Sequence, residues 1–557
     1  MLSIVVVTSF SKRLGLAAPL ALVVVGIVLS YLPGTPDIAL DPELVLAGVL
    51  PPLLYSSAVS MPSQDFRRNL KAISGLAVVL VVLTTLGAGA LFHEVLPGIE
   101  WPAAFALGAV ISPTDAVAAT SIGKKLGLPP RVVTMLEGEG LVNDASSLVL
   151  LRSAVAAISS SISLWGVAGN FVRSVVIAIV IGVVVGLVMV RVRARLHDPV
   201  LGTAVSFVVP FISFLPAEEL HASGVLAVVV TGLVVGREGP RVIAARDRWV
   251  ESMNWRTIAF LMESGIFLLM GLDLKPLTDG VQNDGQSVWR AVLIGLLAAV
   301  AVSVLRLLFV VPLVGLLKQD QRNAAQVRPK LDQWQDHPRF ERLDEMSDRR
   351  RERITERVHR MTADLDFKLN EQVGWRSGVV LGWAGMRGAI TVAAALTIPL
   401  GTARRSELVL IAYLVAAFTL LAQGLTLPAV IRAVKVTDNS VERLRQEQRD
   451  LVDDLYGAGL AEIDRLVPTL HDEKEQEILA RVRDDLLNER DVLGERADLD
   501  ARDEREEYCR LRLEVVAAQR VALSTWEDRG TFGSQAISGA VRMLDRDEVR
   551  LTGFDDN

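Results

Sequence analysis

The stretch EGEGLVNDASSLVL, residues 137 to 150, sets Glu137, Glu139, Asn143 and Asp144 among glycine, valine and leucine. Carboxylate and amide oxygens are ligands for hard cations. In apolar surroundings burial favours the neutral form of a carboxylic acid and an approaching cation favours the charged form, so proton and cation compete for one group. On a helix, Glu137, Gly140, Asp144 and Ser147 share one face, and Glu139, Asn143 and Ser146 share the neighbouring one. Glu137 falls about a turn from the end of its apolar segment, within reach of water. Asp144 falls near the middle, where only a cavity could solvate it.

Two interrupted apolar runs accompany this stretch. In AVISPTDAVAAT, residues 109 to 120, Pro113 removes a helix hydrogen bond and disfavours helical geometry at Ser112. The freed carbonyls must then be satisfied by protein, water or an ion. In GWAGMRGAITVAAAL, residues 382 to 396, Gly385, Arg387 and Gly388 break a second run. An ionisable side chain inside a membrane segment costs about 2.5 to 3.5 kcal/mol on insertion scales, so each needs a partner or a job. Besides Asp115 and the acids above, the apolar segments hold Arg152, Arg173, Glu263, Arg306 and Arg387. Glu139 reads as half of a structural ion pair with Arg306 or Arg387. Those two arginines cannot serve every carboxylate, so at least one acid is left without a fixed cation.

The elements that must position these groups are membrane helices. The 557 residues are 51% hydrophobic with mean hydropathy +0.39, too apolar for a soluble chain of this size. Twelve full crossings are expected, at about 15–32, 43–61, 71–92, 101–121, 131–158, 163–190, 198–215, 221–236, 252–273, 286–317, 373–400 and 405–434. Residues 1–10 are too short to span as written, so either the start is late or the segment only dips into the membrane. No cleavable signal peptide is expected, since no Ala-x-Ala type site follows the first apolar run. Basic loops at 11, 64, 123, 190, 237 and 349 are every second connection, which makes those connections cytoplasmic. GTARR at 401 is the exception on the opposite face. Residues 1–436 then form a transmembrane domain carrying a charged cytoplasmic insertion, 318–372, that reads as surface helix. Residues 437–557 form a cytoplasmic helical domain, acidic with 18 basic and 31 acidic side chains from 438 onward. Its helical rhythm is carried by Val441, Leu444, Leu451 and Leu455, then by Ile478, Leu479, Val482, Leu486 and Leu487.

The interrupted segments are the fifth and twelfth of thirteen if residues 1–10 count. That offset of seven fits two inverted six-helix repeats either side of a linker helix, with a binding site between the two broken, crossing helices. The fold class is thus an all-α polytopic membrane protein of 12–13 helices with a helical tail. The lone Cys509 excludes an internal disulfide, and no spacing reads as a metal site. His93, His197, His221, His337, His359 and His471 all lie in loops, at helix ends or in the tail, which disfavours an intramembrane hydrolase. A cation channel would need a continuous pore rather than two broken helices, and an organic-substrate transporter an aromatic-lined pocket that 5% aromatics do not supply.

Six motifs in order carry a resemblance over about residues 15–434: LPPLLY at 50, SPTDAVA at 112, EGEGLVNDASSLVL at 137, AEELHASGVLAVVVTGL at 217, FLLMGLDL at 267 and GWAGMRGAITVAAAL at 382. The chain resembles the cation/proton antiporters of the sodium/proton exchanger superfamily, in the branch shared by bacterial antiporters and animal exchangers. The resemblance implies that Asp144 takes a cation or protons, with Asn143 stiffening the site and Ser147 a turn away. Asp115 and Thr114 would complete the monovalent-cation site, with a backbone carbonyl as a further ligand. Glu139 would pair with Arg306 rather than Arg387, Arg387 would neutralise the broken-helix crossing, and Glu137 would lie in the cytoplasmic funnel. Two positions depart from the family: Gly140 stands where a serine often helps bind the ion, and Tyr55, Ser56 and Ser57 stand where some relatives carry an acid. The expected activity is exchange of Na⁺, or K⁺ or Li⁺, for H⁺, electroneutral because an Asn-Asp pair replaces two adjacent aspartates. A homodimer in the bacterial plasma membrane is implied, with cations, protons and lipid as partners, no cofactor and no nucleic acid.

Overall fold

The computed structural model describes residues 2–13, 17–33, 41–159, 164–196, 198–335, 348–436, 440–469, 473–495, 500–528, 540, 541, 543, 544 and 548. Among them every regular element is helical. The chain divides into two units, Met1–Thr437 and Asp438–Asn557.

The first unit runs α1 Leu2–Arg13, α2 Ala18–Ser30, α3 Leu50–Ser60, α4 Ser63–Ser74, α5 Leu80–Val95, α6 Trp101–Val110, α7 Ala116–Lys125, α8 Pro130–Ser159, α9 Leu164–Arg193, α10 Pro199–Glu219, α11 Gly224–Val242, α12 Ala245–Leu272, α13 Leu274–Asn283, α14 Val288–Gln335, α15 Asp348–Asn370, α16 Trp375–Trp383, α17 Ala389–Leu396 and α18 Arg405–Val434. Seven helices among the described residues are long and apolar enough to cross a membrane: Ser63–Val95, Pro130–Ile158, Gly169–Arg193, Pro199–Glu219, Ala245–Asn283, Val288–Leu331 and Arg405–Val434. The other five of the twelve expected crossings are short, divided or charged at one end. Segment 15–32 is the 13-residue α2. Segment 43–61 opens with a π turn, Leu44–Val49, before α3. Pro51 and Pro52 in the first turn of α3 lack the N–H groups that an unbroken α-helix would use there, which is where a π turn fits. Segment 221–236 becomes α11, whose last turns carry Arg237, Glu238 and Arg241. Segments 101–121 and 373–400 are each two half-helices, separated by residues 111–115 and 384–388.

Close crossings rest on glycine. Gly26 of α2 and Gly271 of α12 meet so closely that a Cβ at 26 would lie 2.5 Å from the Leu268 carbonyl oxygen and one at 271 would lie 2.7 Å from the Gly26 Cα. Small residues at membrane helix crossings let backbones approach in this way.

The basic exception GTARR has a structural explanation. Arg405 donates from Nε to the Ile398 carbonyl and from Nη2 to the Leu396 carbonyl, each at 2.7 Å, closing the C-terminal end of α17. Arg404, at φ 60°, lies with its Nε 3.4 Å from Oε2 of the buried Glu407, and Arg290 approaches the same carboxylate at 3.8 Å. Both loop arginines therefore serve internal partners.

The charged insertion is not a separate surface helix at its start. Helix α14 runs unbroken for 48 residues, so crossing and insertion share one rod, and α15 packs back along it. The α15 carboxylates fasten it: Asp364 accepts from Arg68 at 2.9 Å and from Arg67 at 3.3 Å, and Asp366 accepts from Arg328 at 2.6 Å. Phe367 lies under the guanidinium groups of both Arg68 and Arg131, 4.8 and 5.1 Å from its ring centre. Since Arg131 stands in the first turn of α8, the insertion braces the helix that carries Asp144.

The second unit contains α19 Ser440–Leu466, α20 Glu473–Glu495 and α21 Asp500–Asp528. Helices α19 and α20 pack together with Leu486 against Gly459, while Val516, Leu523 and Leu544 form a small core elsewhere. The expected apolar stripe is gathered into that packing only in part: Leu479, Leu486 and Leu487 are half-buried, whereas Leu451, Leu455, Ile478 and Val482 are exposed. The side chains of Val441 and Leu444 lie outside the described residues.

Gly271→Val should cost about 1–3 kcal/mol through overpacking and lower the melting temperature of the detergent-purified protein. Gly265→Ala in the same helix, where a new Cβ meets nothing within 4 Å, should leave it unchanged.

Candidate functional site

The two divided crossings meet at their breaks. The backbone N–H of Asp115 donates to the Met386 carbonyl at 2.7 Å, joining the α6–α7 break to the α16–α17 break. Each half-helix ending there exposes carbonyls that nothing in its own helix can satisfy. Arginines do so. Arg387 donates from Nε to the Ile111 carbonyl beyond α6 at 3.1 Å, and Arg306 of α14 donates from Nε to the Leu381 carbonyl in the last turn of α16 at 3.0 Å. Arg387 also bonds the Gly385 carbonyl through Nη1, and its backbone N–H donates to Thr419 Oγ1 at 3.2 Å. A guanidinium at a helix C-terminus also opposes the negative end of the helix dipole.

The opposite ends, the N-termini of α7 and α17, face Asp115. Its Oδ1 accepts from the Val117 N–H at 2.9 Å, capping α7. A Cβ on Gly388, the residue before α17, would lie 2.9 Å from Asp115 Cγ, so only glycine lets that helix end come so near the carboxylate. Two positive helix ends thus converge on one acid.

Helix α8 supplies the remaining groups. Glu139, 2% exposed, and Arg306, 1% exposed, form a two-pronged ion pair, with Nη2 to Oε2 at 2.7 Å and Nη1 to Oε1 also bonded. Thr114 Oγ1 donates to Glu139 Oε1 at 2.6 Å. Asn143 Nδ2 donates to the Thr114 carbonyl at 2.9 Å and to Thr114 Oγ1 at 3.0 Å, leaving Asn143 Oδ1 buried without a partner. The Thr114 carbonyl is therefore occupied by Asn143, and the Thr114 hydroxyl proton by Glu139. The carboxylate of Asp144, a residue 6% exposed, has no hydrogen bond or ion pair among the described residues, and lies within electrostatic reach of Asp115. Ser147 Oγ donates to the Asp144 carbonyl at 3.1 Å. Glu137 stands apart from this cluster, paired with Lys124 of α7 at 2.8 Å. Arg387 makes no ion pair with Glu139, which Arg306 holds alone.

Gly140 now has a steric reason. A Cβ there would lie 2.8 Å from the Cβ of Ala116, the first residue of α7. The serine common in relatives does not fit against Ala116 without a shift.

Two features escaped the sequence. Glu263 of α12, noted there as a membrane charge but given no role, lies within electrostatic reach of Asp115. Arg193 of α9 and Glu251 of α12 form a second buried ion pair, beside Trp255, which donates to Ser206 Oγ at 3.0 Å and stacks obliquely on Tyr55. Arg193 had been placed in a loop, and the crossing read as 252–273 began one residue after Glu251. Neither has a spacing signal.

The fold and this arrangement define a multi-pass helical membrane protein whose broken helices enclose acids. The family model for the transmembrane sodium/hydrogen exchanger matches residues 1–433, and the chain belongs to that family, one of cation/proton antiporters and not of enzymes. An uncharacterized Na⁺/H⁺ exchanger of Mycobacterium tuberculosis is 28% identical over 99% of this chain and 94% of its own length. The low-affinity Na⁺/H⁺ antiporter NhaS1 of Synechocystis is 29% identical over 76% of this chain and 71% of its own. A sodium, potassium, lithium and rubidium/H⁺ antiporter of Bacillus pumilus is 32% identical over 48% of this chain and 41% of its own. The fold is similar to that of the sodium proton antiporter MjNhaP1 from Methanocaldococcus jannaschii, with TM-score 0.56 at 16% identity over 78% of this chain and 95% of that one.

Arg306→Met leaves Glu139 charged and buried, and should cost about 3–5 kcal/mol of stability. Adding Glu139→Leu should regain part of that loss, read by thermal melting of both purified variants. Gly140→Ser should slow exchange several-fold, and Ala116→Gly in the same chain should recover it; a fully active single variant would show that the Ala116 contact yields freely.

Proposed function

We propose that the protein is a secondary active antiporter exchanging a monovalent cation, Na⁺ ahead of K⁺ or Li⁺, for H⁺. The observation that carries this reading is the contrast between two acids five residues apart on α8. Glu139 has a fixed guanidinium partner, whereas Asp144 is buried with none and faces a second acid, Asp115. Two neighbouring buried carboxylates without a fixed cation favour taking up either a proton or a cation. The activities of the Synechocystis and Bacillus antiporters support the same ions.

In this mechanism Asp144 and Asp115 hold the cation, with the unpaired Asn143 Oδ1 as a further oxygen. The Thr114 carbonyl becomes available only when Asn143 turns away. Protonation of Asp144 releases the ion, and the body formed by α8 and the half-helices moves against the rest to alternate access. Asn143 in place of a second aspartate supports electroneutral, one-for-one exchange. The ions are cargo, with no resident cofactor. We place the protein in a bacterial plasma membrane as a homodimer built on inverted repeats, with its tail cytoplasmic and a role in pH and cation homeostasis. Breadth towards K⁺ is favoured by Gly140, which withholds a hydroxyl that would tighten the site around a smaller ion.

In proteoliposomes carrying a pH dye, Na⁺, K⁺ and Li⁺ added in turn should each trigger proton flux, and Asp144→Asn should abolish it while the protein stays folded. Flux should be unchanged when the membrane potential is clamped or released. Robust exchange in the variant would remove Asp144 from the mechanism.

A further inference from the structure

A cavity of about 550 Å³ opens at the far end of α8, lined by Val149, Arg152, Ser153, Asn170, Arg173 and Glu218, with Ser174 and His221 at its wall. Its charge is unbalanced. Both oxygens of Glu218 are committed, Oε2 to Arg152 Nη2 at 2.6 Å and Oε1 to the Gly224 N–H at 3.0 Å. Arg173 of α9 has no hydrogen bond or ion pair among the described residues. The cavity therefore carries an uncompensated guanidinium, a histidine, the Asn170 amide and the buried Ser174 hydroxyl.

The position of Arg173 says what it meets. Between it and Arg191 the sequence 174–190 is uncharged, so the two arginines are separated by about 27 Å of helix, close to the thickness of a hydrocarbon core. Arg191 and Arg193 mark one membrane face and Arg173 the other. An arginine at that depth reaches for the headgroup layer, where phosphates offer paired anionic oxygens that a planar guanidinium fork binds in two-pronged fashion. A net positive cavity is also a poor path for a transported cation, so this site is separate from the one around Asp144.

We propose that this cavity binds a phosphate group, held by Arg173, with the remaining N–H donors of Arg152, whose Nη1 also donates to the Ala222 carbonyl at 3.5 Å, and with Ser153, Asn170 and Ser174 as hydroxyl and amide partners. The phosphate is either the headgroup of a membrane lipid or free inorganic phosphate. Bound there, it ties α8 to α9 beside the existing tie from α8 to α10. The proposal does not depend on which ion the protein exchanges.

The test is thermal melting of the full-length protein in a neutral detergent, at fixed ionic strength and without sodium. Dihexanoyl phosphatidylglycerol, dihexanoyl phosphatidylcholine and Tris phosphate are titrated against wild type, Arg173→Gln and the opposite-face control Arg191→Gln. The expected result is a rise of about 3 °C or more with phosphatidylglycerol in wild type and Arg191→Gln, at least halved in Arg173→Gln. A shift with phosphatidylglycerol alone identifies a lipid headgroup; an equal shift with Tris phosphate identifies free phosphate. No shift with either, an undiminished shift in Arg173→Gln, or an equal shift with phosphatidylcholine would overturn the proposal. If Arg173→Gln does not fold, Asn170→Asp, which places a negative charge at the cavity wall, should abolish the shift in the same way.

Discussion

The ion pair between Glu139 and Arg306 is the constraint from which the centre of the molecule follows. Two charges buried that deeply are tolerated only when every remaining donor and acceptor is satisfied. Each extra bond drafts in another element. Arg306 has an Nε left over and spends it on the Leu381 carbonyl, which fixes the end of α16. Glu139 accepts the Thr114 hydroxyl, which fixes the α6–α7 break. Asn143 then bonds both oxygens of Thr114. One pair thereby holds a continuous helix on each side and a broken helix on each side. It also neutralises Glu139, while the Asp144 carboxylate on the same helix has no fixed cation among the described residues.

The breaks themselves follow a dipole logic. Four half-helix ends come together, two with exposed carbonyls and two with exposed N–H groups. Guanidinium groups from Arg387 and Arg306 answer the carbonyl ends, while the Asp115 carboxylate answers the N–H ends. Local charge is balanced without any side chain being directed at Asp144. On the proposed reading, a cation arriving there meets two acids and no fixed partner of the Asp144 carboxylate among the described residues, and a proton taking its place restores the same local charge. That equivalence would allow two occupants at one site.

Much of this was legible in the sequence because it was written in expensive residues. Pro113, the Gly385–Gly388 run and the charges at 139, 144, 306 and 387 all violate the composition of a membrane helix, so each announced itself. The helical class and the two break positions came from the same violations. What could not be read was anything set by contact between distant segments. Whether Arg306 or Arg387 took Glu139 depended on which helix packed against α8, and the residues alone left both open. Arg193 and Glu251 sit near helix ends, where charge is ordinary, so their burial left no trace. The apolar rhythm of the tail was visible, but rhythm records which residues share a face and not whether another helix is wide enough to cover it.

Gly140 shows how such contacts bear on chemistry. By sequence alone it is a missing ligand. In the structure it is half of a packing pair with Ala116, whose own position is set because Asp115 must cap α7 directly before it. Restoring a serine would push α7 away and with it the Asp115 carboxylate. The hydroxyl and the approach of Asp115 are alternatives here, and this chain keeps the approach. On the proposed reading the site relies on carboxylate and amide oxygens, whose spacing is governed by how closely α7 and α8 pack. Selectivity would then be a property of a helix contact more than of any one side chain.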